Sequence, residues 1–199
     1  MSRRSRVALF VSLLVLTLSD AVPPAHSGTA PDTSAQFTSD GRLSPPTGYR
    51  EWIFLTSGLD MSYIENSGMD HSMFDNVFVD PQAYRSFVQT GTWPEGTVIV
   101  KESRAASAKG SINKSGKFQA GDTMGVEVHL KDSKRFAAGW GFFFFDSVRA
   151  RPTQAIPAAA PCYSCHRANG AVDTTFVQFY PTLLSIATQK HTLSPTYRP

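Results

Sequence analysis

Two stretches of this chain alternate with a period of two, and that pattern limits the possible fold more than any other feature. In M-G-V-E-V-H-L-K, residues 124–131, every second residue is apolar, from Met124 to Leu130. Glu127 and His129 share the opposite face. In T-V-I-V-K-E, residues 97–102, the same alternation places Lys101 opposite the valines. A period of two is typical of a strand with one buried face. The chain is therefore expected to build a sheet with two different faces.

Further segments add strands and a helix. Residues 75–80 and 140–146 are predicted strands, and the second, W-G-F-F-F-F-D, is apolar on both faces, which is typical of a central strand. Asp80 and Pro81 predict the start of a helix that ends at Gly91. Together these elements predict an α+β fold, mainly an antiparallel β-sheet with a few packed helices.

Two predictions concern the regions after these strands. The Gly, Ser and Lys content of residues 103–121 predicts a polar loop. A second helix is predicted to start near Asp173 and Thr174, to be interrupted at Pro181 and to continue through L-L-S-I-A-T-Q-K. The sequence contains no visible internal repeat or second domain, so residues 49–199 are interpreted as one domain.

The N-terminal region has the pattern of a secretory signal peptide. Arg3, Arg4 and Arg6 precede an apolar run at residues 7–18, and small residues follow it. The run is too short to span a bilayer comfortably, and an uncleaved N-terminal anchor is the alternative. Residues 1–27 are interpreted as a cleaved signal peptide, so the mature chain is expected to be periplasmic or secreted.

Charge restricts the partners of the mature chain. The leader holds three of the 19 Lys and Arg residues and one of the 16 Asp and Glu residues, so its removal lowers the formal net charge from +3 to +1. A nearly neutral chain without a basic stripe gives no reason to expect nucleic acid or a membrane surface as a partner.

Residues 28–48 are rich in Ser, Thr, Pro, Asp and Gly, which predicts a flexible lead-in to the folded domain.

The only two cysteines of the chain lie in C-Y-S-C-H, residues 162–166. Cys-x-x-Cys-His in an exported protein is the attachment signature of haem c. The thiols of Cys162 and Cys165 would add to the two vinyl groups, and His166 would be the axial ligand of the iron. A redox or structural disulfide is the alternative, and a zinc site would need a second Cys and His pair at ligand spacing. One covalent haem c per chain is therefore predicted.

The sixth position of the iron separates an electron carrier from a reaction site. The 33 residues that follow His166 contain no methionine, so a methionine ligand, which raises the potential, would have to come from upstream. Met124 lies on the apolar face of a predicted strand, where a core role is expected. His129 is expected at the surface or in a pocket wall, and an open sixth position is predicted. The other candidate ligands are Met61, Met69, Met73, His71 and His191.

Several short strings resemble one known family. Y-R-E-W, F-V-D-P-Q-A-Y, G-T-V-I-V-K-E, K-D-S-K-R-F-A, C-Y-S-C-H and F-Y-P-T-L occur in the order and approximate spacing of the cytochrome P-460 family, over nearly all of residues 49–190. The resemblance implies a β-rich, homodimeric mono-haem c protein. It also implies a lysine whose side-chain nitrogen is bonded to the haem ring, and the matching residue is Lys101. Burial beside a porphyrin would favour the neutral, nucleophilic amine; an ordinary strand-edge lysine is the alternative.

The resemblance further implies a reaction. Family members with the crosslink resemble hydroxylamine oxidases that form nitrous oxide or nitric oxide, with a cytochrome as redox partner. Glu127 matches the distal carboxylate of the family and is the candidate general base; the alternative is a solvent-facing residue of an edge strand. Asp75 is a second catalytic candidate, and it departs from the family pattern, in which an arginine stands close to this position.

Two non-enzymatic functions stay open. The cytochromes c′-beta of the same family lack the crosslink and bind nitric oxide beneath a cap of phenylalanines. Here Phe78, Phe118 and residues 142–145 are the candidates for such a cap, although most of them are expected in the core. An electron-transfer cytochrome with a filled sixth position is the third hypothesis. A bonded Lys101 would separate the first hypothesis from the second, and an axial Met or His would establish the third.

Overall fold

The computed structural model describes residues 33–63, 72–147 and 149–199. These residues form one five-stranded antiparallel sheet, whose strand order follows the chain, and three α-helices. This architecture confirms the predicted α+β fold. None of the helices in the described part of the chain is long and apolar enough to cross a membrane. The elements are β1 (Ile53–Leu59), β2 (Met73–Val79), α1 (Pro81–Thr90), β3 (Val98–Ser107), β4 (Phe118–Lys131), β5 (Trp140–Phe145), α2 (Pro161–Asn169) and α3 (Pro181–Gln189).

The three helices pack on one side of the sheet, which we call the helix face. There Val79 and Ile99 contact a buried cluster to which α1, α2 and α3 contribute Phe87, Tyr163 and Leu183. Burying one such apolar side chain stabilises a fold by about 1.5–3 kcal/mol. The helices thus bury part of the helix face, and a site could lie on the part that they leave uncovered.

The opposite side of the sheet is covered by the segment that precedes β1. Val100, Val126 and Val128 are fully buried there, against Trp52 and Leu43. The alternation of β3 and β4 thus confirms the prediction of two different faces. One face is filled by valines, and the other carries Lys101, Glu127 and His129.

Helix α1 has the boundaries that the sequence predicts. Asp80 caps its start, since the Oδ1 atom accepts a hydrogen bond from the backbone N–H of Ala83 at 2.7 Å. The second carboxylate oxygen accepts from the N–H of Val98 at 3.0 Å and so fixes the helix to β3. Gly91 ends the helix in a left-handed conformation with φ 78°.

Strand β5 lies at the edge of the sheet, so the prediction of a central strand was wrong. Both of its faces nevertheless contribute to the core: Phe142 packs toward the helices, while Phe143 and Phe145 are buried on the other face. Phe144 is 49% exposed. The backbone N–H of Ile156 donates to the carbonyl of Phe142 at 2.7 Å and covers part of the free edge. A following loop therefore occupies one hydrogen-bonding position at this edge, as a neighbouring strand would.

The predicted loop at residues 103–121 is largely a β-hairpin. Strand β3 continues to Ser107 and β4 begins at Phe118, so only the tip is irregular. Polar side chains support the extended part, because Gln119 donates to Asn76 at 2.9 Å and Arg104 donates to the carbonyl of Gly121 at 3.0 Å. Composition predicted a loop here, but polar residues are compatible with strands that pair with each other outside the core.

The described part of the predicted lead-in, residues 33–48, packs onto the sheet. Leu43 is 2% exposed and pairs with Thr153 through two backbone hydrogen bonds of 2.9 Å. The ring of Phe37 lies edge-on to Phe143, with 6.2 Å between centroids. These contacts show that Leu43 and Phe37 attach an otherwise polar stretch to the sheet, which composition alone did not indicate.

Candidate functional site

A cavity of about 430 Å³ opens on the helix face of the sheet. Lys101 and Glu127 form part of its wall from the adjacent strands β3 and β4, and Asp75 contributes from β2. His166 of α2 lines the same cavity. The sheet register explains the strand side, since Lys101 lies directly across from Glu127 and such pairs place their side chains on one face. Four of the six predicted site residues therefore meet in one cavity.

Lys101 lies between two carboxylates. Its Nζ atom is 2.8 Å from Oε1 of Glu127 and 3.8 Å from Oδ1 of Asp75. Asp75 also accepts a short hydrogen bond from the hydroxyl of Ser103. Strands β3 and β4 are both internal to the sheet, so neither Lys101 nor Glu127 belongs to an edge strand.

The carboxylates decide the charge of Lys101. Burial acts to lower the pKa of Lys101, but the attraction of Glu127 and Asp75 outweighs burial and raises that pKa above its ordinary value of 10.5. The expectation of a neutral amine rested on burial beside a porphyrin and stays a prediction. Among the residues of the chain itself, the two carboxylates favour the protonated amine, which must lose a proton before it can act as a nucleophile.

His166 is held in the form that binds a metal. Its Nδ1 atom lies 2.9 Å from the backbone carbonyl of Thr174, and because a carbonyl only accepts, Nδ1 carries the hydrogen and Nε2 the lone pair. Burial lowers the pKa of His166 and keeps the ring neutral. The ring stacks on Phe176 at 4.1 Å between centroids and contacts His129 at 4.9 Å.

The two cysteines lie at the start of the same helix. Cys162 and Cys165 are free thiols in the first turns of α2, which has Pro161 as its first residue. A separation of three residues places both on one side of a helix. Cys165 lines a second cavity of about 430 Å³ that shares Phe176 and Tyr63 with the first cavity, whereas Cys162 packs against the apolar core.

The carbonyl that His166 meets belongs to a tight turn. Asp173 and Thr174 have φ values of 49° and 61°, in the left-handed region. Each non-glycine residue held there costs on the order of 1–3 kcal/mol. The predicted helix start at these residues was wrong, because Asp and Thr here serve a turn, and helix α3 begins only at Pro181.

Comparison with known proteins identifies the family. A family model described as Cytochrome P460 matches residues 46–177. The chain belongs to the cytochrome P460 family. A search of curated proteins found no match at the threshold applied. Membership confirms the resemblance to this family and makes the chain a haem-binding cytochrome.

The residues present fit the haem of a P460 cytochrome. A neutral imidazole would leave Nε2 free to bind the iron, while its Nδ1–H is already bonded to a carbonyl, the usual outer partner of a histidine ligand. The cavity has apolar walls, including Val77, Ile99 and Phe176, as a porphyrin ring requires. Two free thiols lie directly before this histidine in α2. His166, Cys162 and Cys165 are thus the residues that would hold the group.

The structure sorts the candidates for the sixth ligand. Met61, Met73 and His129 line the cavity, and burial lowers the pKa of His129 well below its ordinary value. The predicted core role of Met124 was wrong, since it is 41% exposed. The pairing steps from Gly125 to Thr123 while β3 advances by one residue, so Met124 occupies a bulge. His191 is exposed after α3. Met69 and His71 lie outside the described residues.

The aromatic residues near His166 differ from those that the sequence suggested. Among the candidates for a phenylalanine cap, only Phe142 contacts His166, at 4.8 Å between centroids. Phe78, Phe143 and Phe145 pack in the cluster on the other side of the sheet, and Phe118 is 40% exposed near the hairpin tip. Sequence reasoning missed the aromatic residues that do line the cavity. They are Tyr63, Phe176, Phe179 and Tyr180.

Proposed function

We propose that this P460 cytochrome carries one haem c, bonded to Cys162 and Cys165 with His166 as axial ligand, and oxidises hydroxylamine. The observation that carries the proposal is the placement of Lys101 and Glu127, 2.8 Å apart, in the cavity that His166 also lines. A bound haem would supply an iron that binds the substrate nitrogen and accepts its electrons. The chain itself supplies the proton acceptors beside that cavity.

Glu127 has the role of general base. Oxidation of one hydroxylamine to nitric oxide releases three protons and three electrons, and two hydroxylamines that form nitrous oxide and water release four of each. Glu127 and Asp75 line the cavity as carboxylates and can accept such protons in turn. The electrons leave to an external acceptor, for which we propose a cytochrome.

Lys101 is the residue proposed to bond to the haem ring. Joining its nitrogen to a ring carbon removes one hydrogen from each partner, two protons and two electrons in total, so the step needs an external two-electron oxidant such as a peroxide. Glu127 lies close enough to take the proton that makes the amine nucleophilic. Such a bond distorts the macrocycle and so alters its electronic properties.

A second function, nitric oxide binding without turnover, is favoured by the charge of the same lysine. Asp75 stands near the position where crosslinked relatives carry an arginine, and together with Glu127 it holds Lys101 in the protonated form. An ammonium group does not form the bond. The apolar ring of Phe176 beside His166 suits a small uncharged ligand.

The setting of the protein is proposed from its N-terminal sequence. Arg3, Arg4 and Arg6 with the apolar run after them support export and cleavage at about residue 27. Haem c attachment belongs to that compartment, so a periplasmic or secreted protein is proposed. A homodimer is proposed from the resemblance to the family. No contact with nucleic acid or, after cleavage, with a membrane is proposed.

The test combines the intact mass and the optical spectrum of the purified mature protein. We expect the mass of the chain plus one haem, less two hydrogens, and a red-shifted ferrous Soret band. Lys101→Ala should restore both hydrogens and an ordinary c-type spectrum, whereas the exposed Lys134→Ala should change neither. An unchanged spectrum in Lys101→Ala would refute the crosslink. Nitric oxide binding without hydroxylamine turnover would support the second function, and a six-coordinate iron with a protein ligand would support electron transfer.

A further inference from the structure

The turn that meets His166 has no role in the proposed chemistry, yet it is heavily supported. The carbonyl of Thr174 accepts from Nδ1 of His166 at 2.9 Å. That carbonyl is aimed at the ring by two consecutive left-handed residues, Asp173 and Thr174. Since L-residues rarely hold this conformation unless their surroundings impose it, the support must come from elsewhere in the fold.

One support comes from the end of strand β4. Lys131 forms an ion pair with Asp173 and donates to the carbonyl of Trp93 at 2.8 Å. Its side chain is only 16% exposed and its Nζ atom lies 5.9 Å from the ring centre of Trp140. The hydroxyl of Thr175 accepts from the indole N–H of Trp93 at 2.8 Å. Lys131 therefore contacts Asp173, the first residue of the strained pair, and Trp93 contacts Thr175, the residue that follows the pair.

A second support is the absence of a side chain at Gly170. A Cβ atom there would lie 2.6 Å from the carbonyl carbon of Thr174 and 2.7 Å from the carbonyl oxygen of His166. Both are backbone atoms, so they cannot move aside as the end of a flexible side chain could. Any residue larger than glycine would therefore push the turn away from the helix that carries His166.

We infer that Lys131 and Asp173 are positioning residues for the axial histidine: their ion pair fixes the Thr174 carbonyl as the acceptor of the His166 Nδ1–H bond. This inference rests on the proposed haem ligation by His166. An outer hydrogen bond of this kind orients a histidine ligand and makes it a stronger electron donor. A stronger donor stabilises the ferric iron, so the pair holds the reduction potential of the haem down.

The experiment removes the pair without changing the local charge. In the double variant Lys131→Met, Asp173→Asn, one cation and one anion are lost together, so a rise in the midpoint potential would come from the histidine. We also expect the iron–histidine stretching band of the ferrous protein, measured by resonance Raman spectroscopy, to shift to lower frequency. Asp173→Asn alone should shift the band in the same direction, and it should fold, because asparagine tolerates the left-handed region. The charge-balanced control replaces the exposed pair Arg42 and Asp40 with Met and Asn.

The outcomes separate this inference from the proposed function. Haem content is measured first, by the pyridine haemochrome of each variant. A wild-type chain without haem c would overturn the proposed function and, with it, this inference. A haem-loaded double variant with the potential and band of the wild type would overturn only the inference. Equal shifts in the Arg42→Met, Asp40→Asn control would overturn it as well, because they would show no dependence on the turn.

Discussion

Lys101 Nζ lies 2.8 Å from Glu127 Oε1, across the register pair that joins β3 to β4. The two residues are 26 positions apart in the chain, and the hairpin alone brings them together. One ion pair therefore couples the nucleophile proposed for haem modification to the base proposed for substrate oxidation. Replacing Glu127 would remove one of the two carboxylates that raise the pKa of Lys101.

Replacement of Glu127 by glutamine should slow hydroxylamine oxidation. Glutamine keeps the size of the side chain and loses the proton acceptor, so the rate should fall by about 100-fold or more, the usual contribution of a positioned base. Haem content should stay at the wild-type level. The measurement is the initial rate of hydroxylamine consumption with a soluble electron acceptor, and the exposed Glu51→Gln is the matched control. Equal rates in Glu127→Gln and wild type would contradict the role as base.

Replacement of Asp75 by asparagine should make the lysine bond form at lower pH. Asp75 and Glu127 raise the pKa of Lys101, so removing one carboxylate lowers that pKa and increases the neutral fraction at a given pH. In the wild type the bonded fraction should rise as the pH increases toward the raised pKa. Mass spectrometry of samples matured at a series of pH values measures that fraction. A profile that is identical in both proteins would show that the charge of Lys101 does not limit the reaction.

Replacement of Glu102 by glutamine should destabilise the fold. Glu102 is 2% exposed on the face opposite the cavity and is contacted by Tyr49, Arg50 and Arg104. Because Arg50 is 47% exposed and can bind water instead, the loss is that of charge-assisted hydrogen bonds, about 1.5–3 kcal/mol. Urea unfolding of both proteins measures the loss, and Asp40→Asn on the surface should leave the midpoint unchanged. An unaffected midpoint in Glu102→Gln would mean that the arginines find other partners.

The same carboxylate predicts how stability depends on pH. Burial acts to raise the pKa of Glu102, but hydrogen bonds from Arg104, Arg50, Tyr49 and Thr123 outweigh it and lower the pKa to about 2. The group is therefore ionised in the folded chain at a pH where it is protonated in the unfolded chain. Its contribution is present above the ordinary value of 4.5 and is lost as the pH falls from there toward 2. In Glu102→Gln the free energy of unfolding should change less over that interval.

Local sequence pattern predicted the half of the site that lies on strands. Period-two alternation placed Lys101 on one face of β3 and Glu127 with His129 on one face of β4, and the register confirms that these faces coincide. The same rule misplaced Met124, because a bulge inserts one unpaired residue and reverses the alternation beyond it. Alternation carries no information about where a bulge falls.

The half of the site that lies beyond the strands depends on contacts distant in sequence. Thr174 contacts His166 from a turn whose neighbouring residues bind far upstream: Asp173 pairs with Lys131 and Thr175 accepts from Trp93. Asp173 and Thr174 also suit a helix start, and their own residue types favour either structure. Phe176 gave no periodic signal, although it stacks on His166. Such residues are found from tertiary packing and not from spacing along the chain.

Replacement of both cysteines by alanine should abolish the covalent attachment of haem. Cys162 and Cys165 are partly buried free thiols at the start of α2, so truncation removes little packing and the fold should persist. Extraction with acidified butanone should then leave the double variant colourless, while the wild type keeps its haem in the aqueous phase. His166→Ala should retain haem after extraction with an altered spectrum, because the thioether bonds do not need the axial ligand. Ser164→Ala, between the cysteines and exposed, is the matched control. Haem that resists extraction in the double variant would place the tether on other residues.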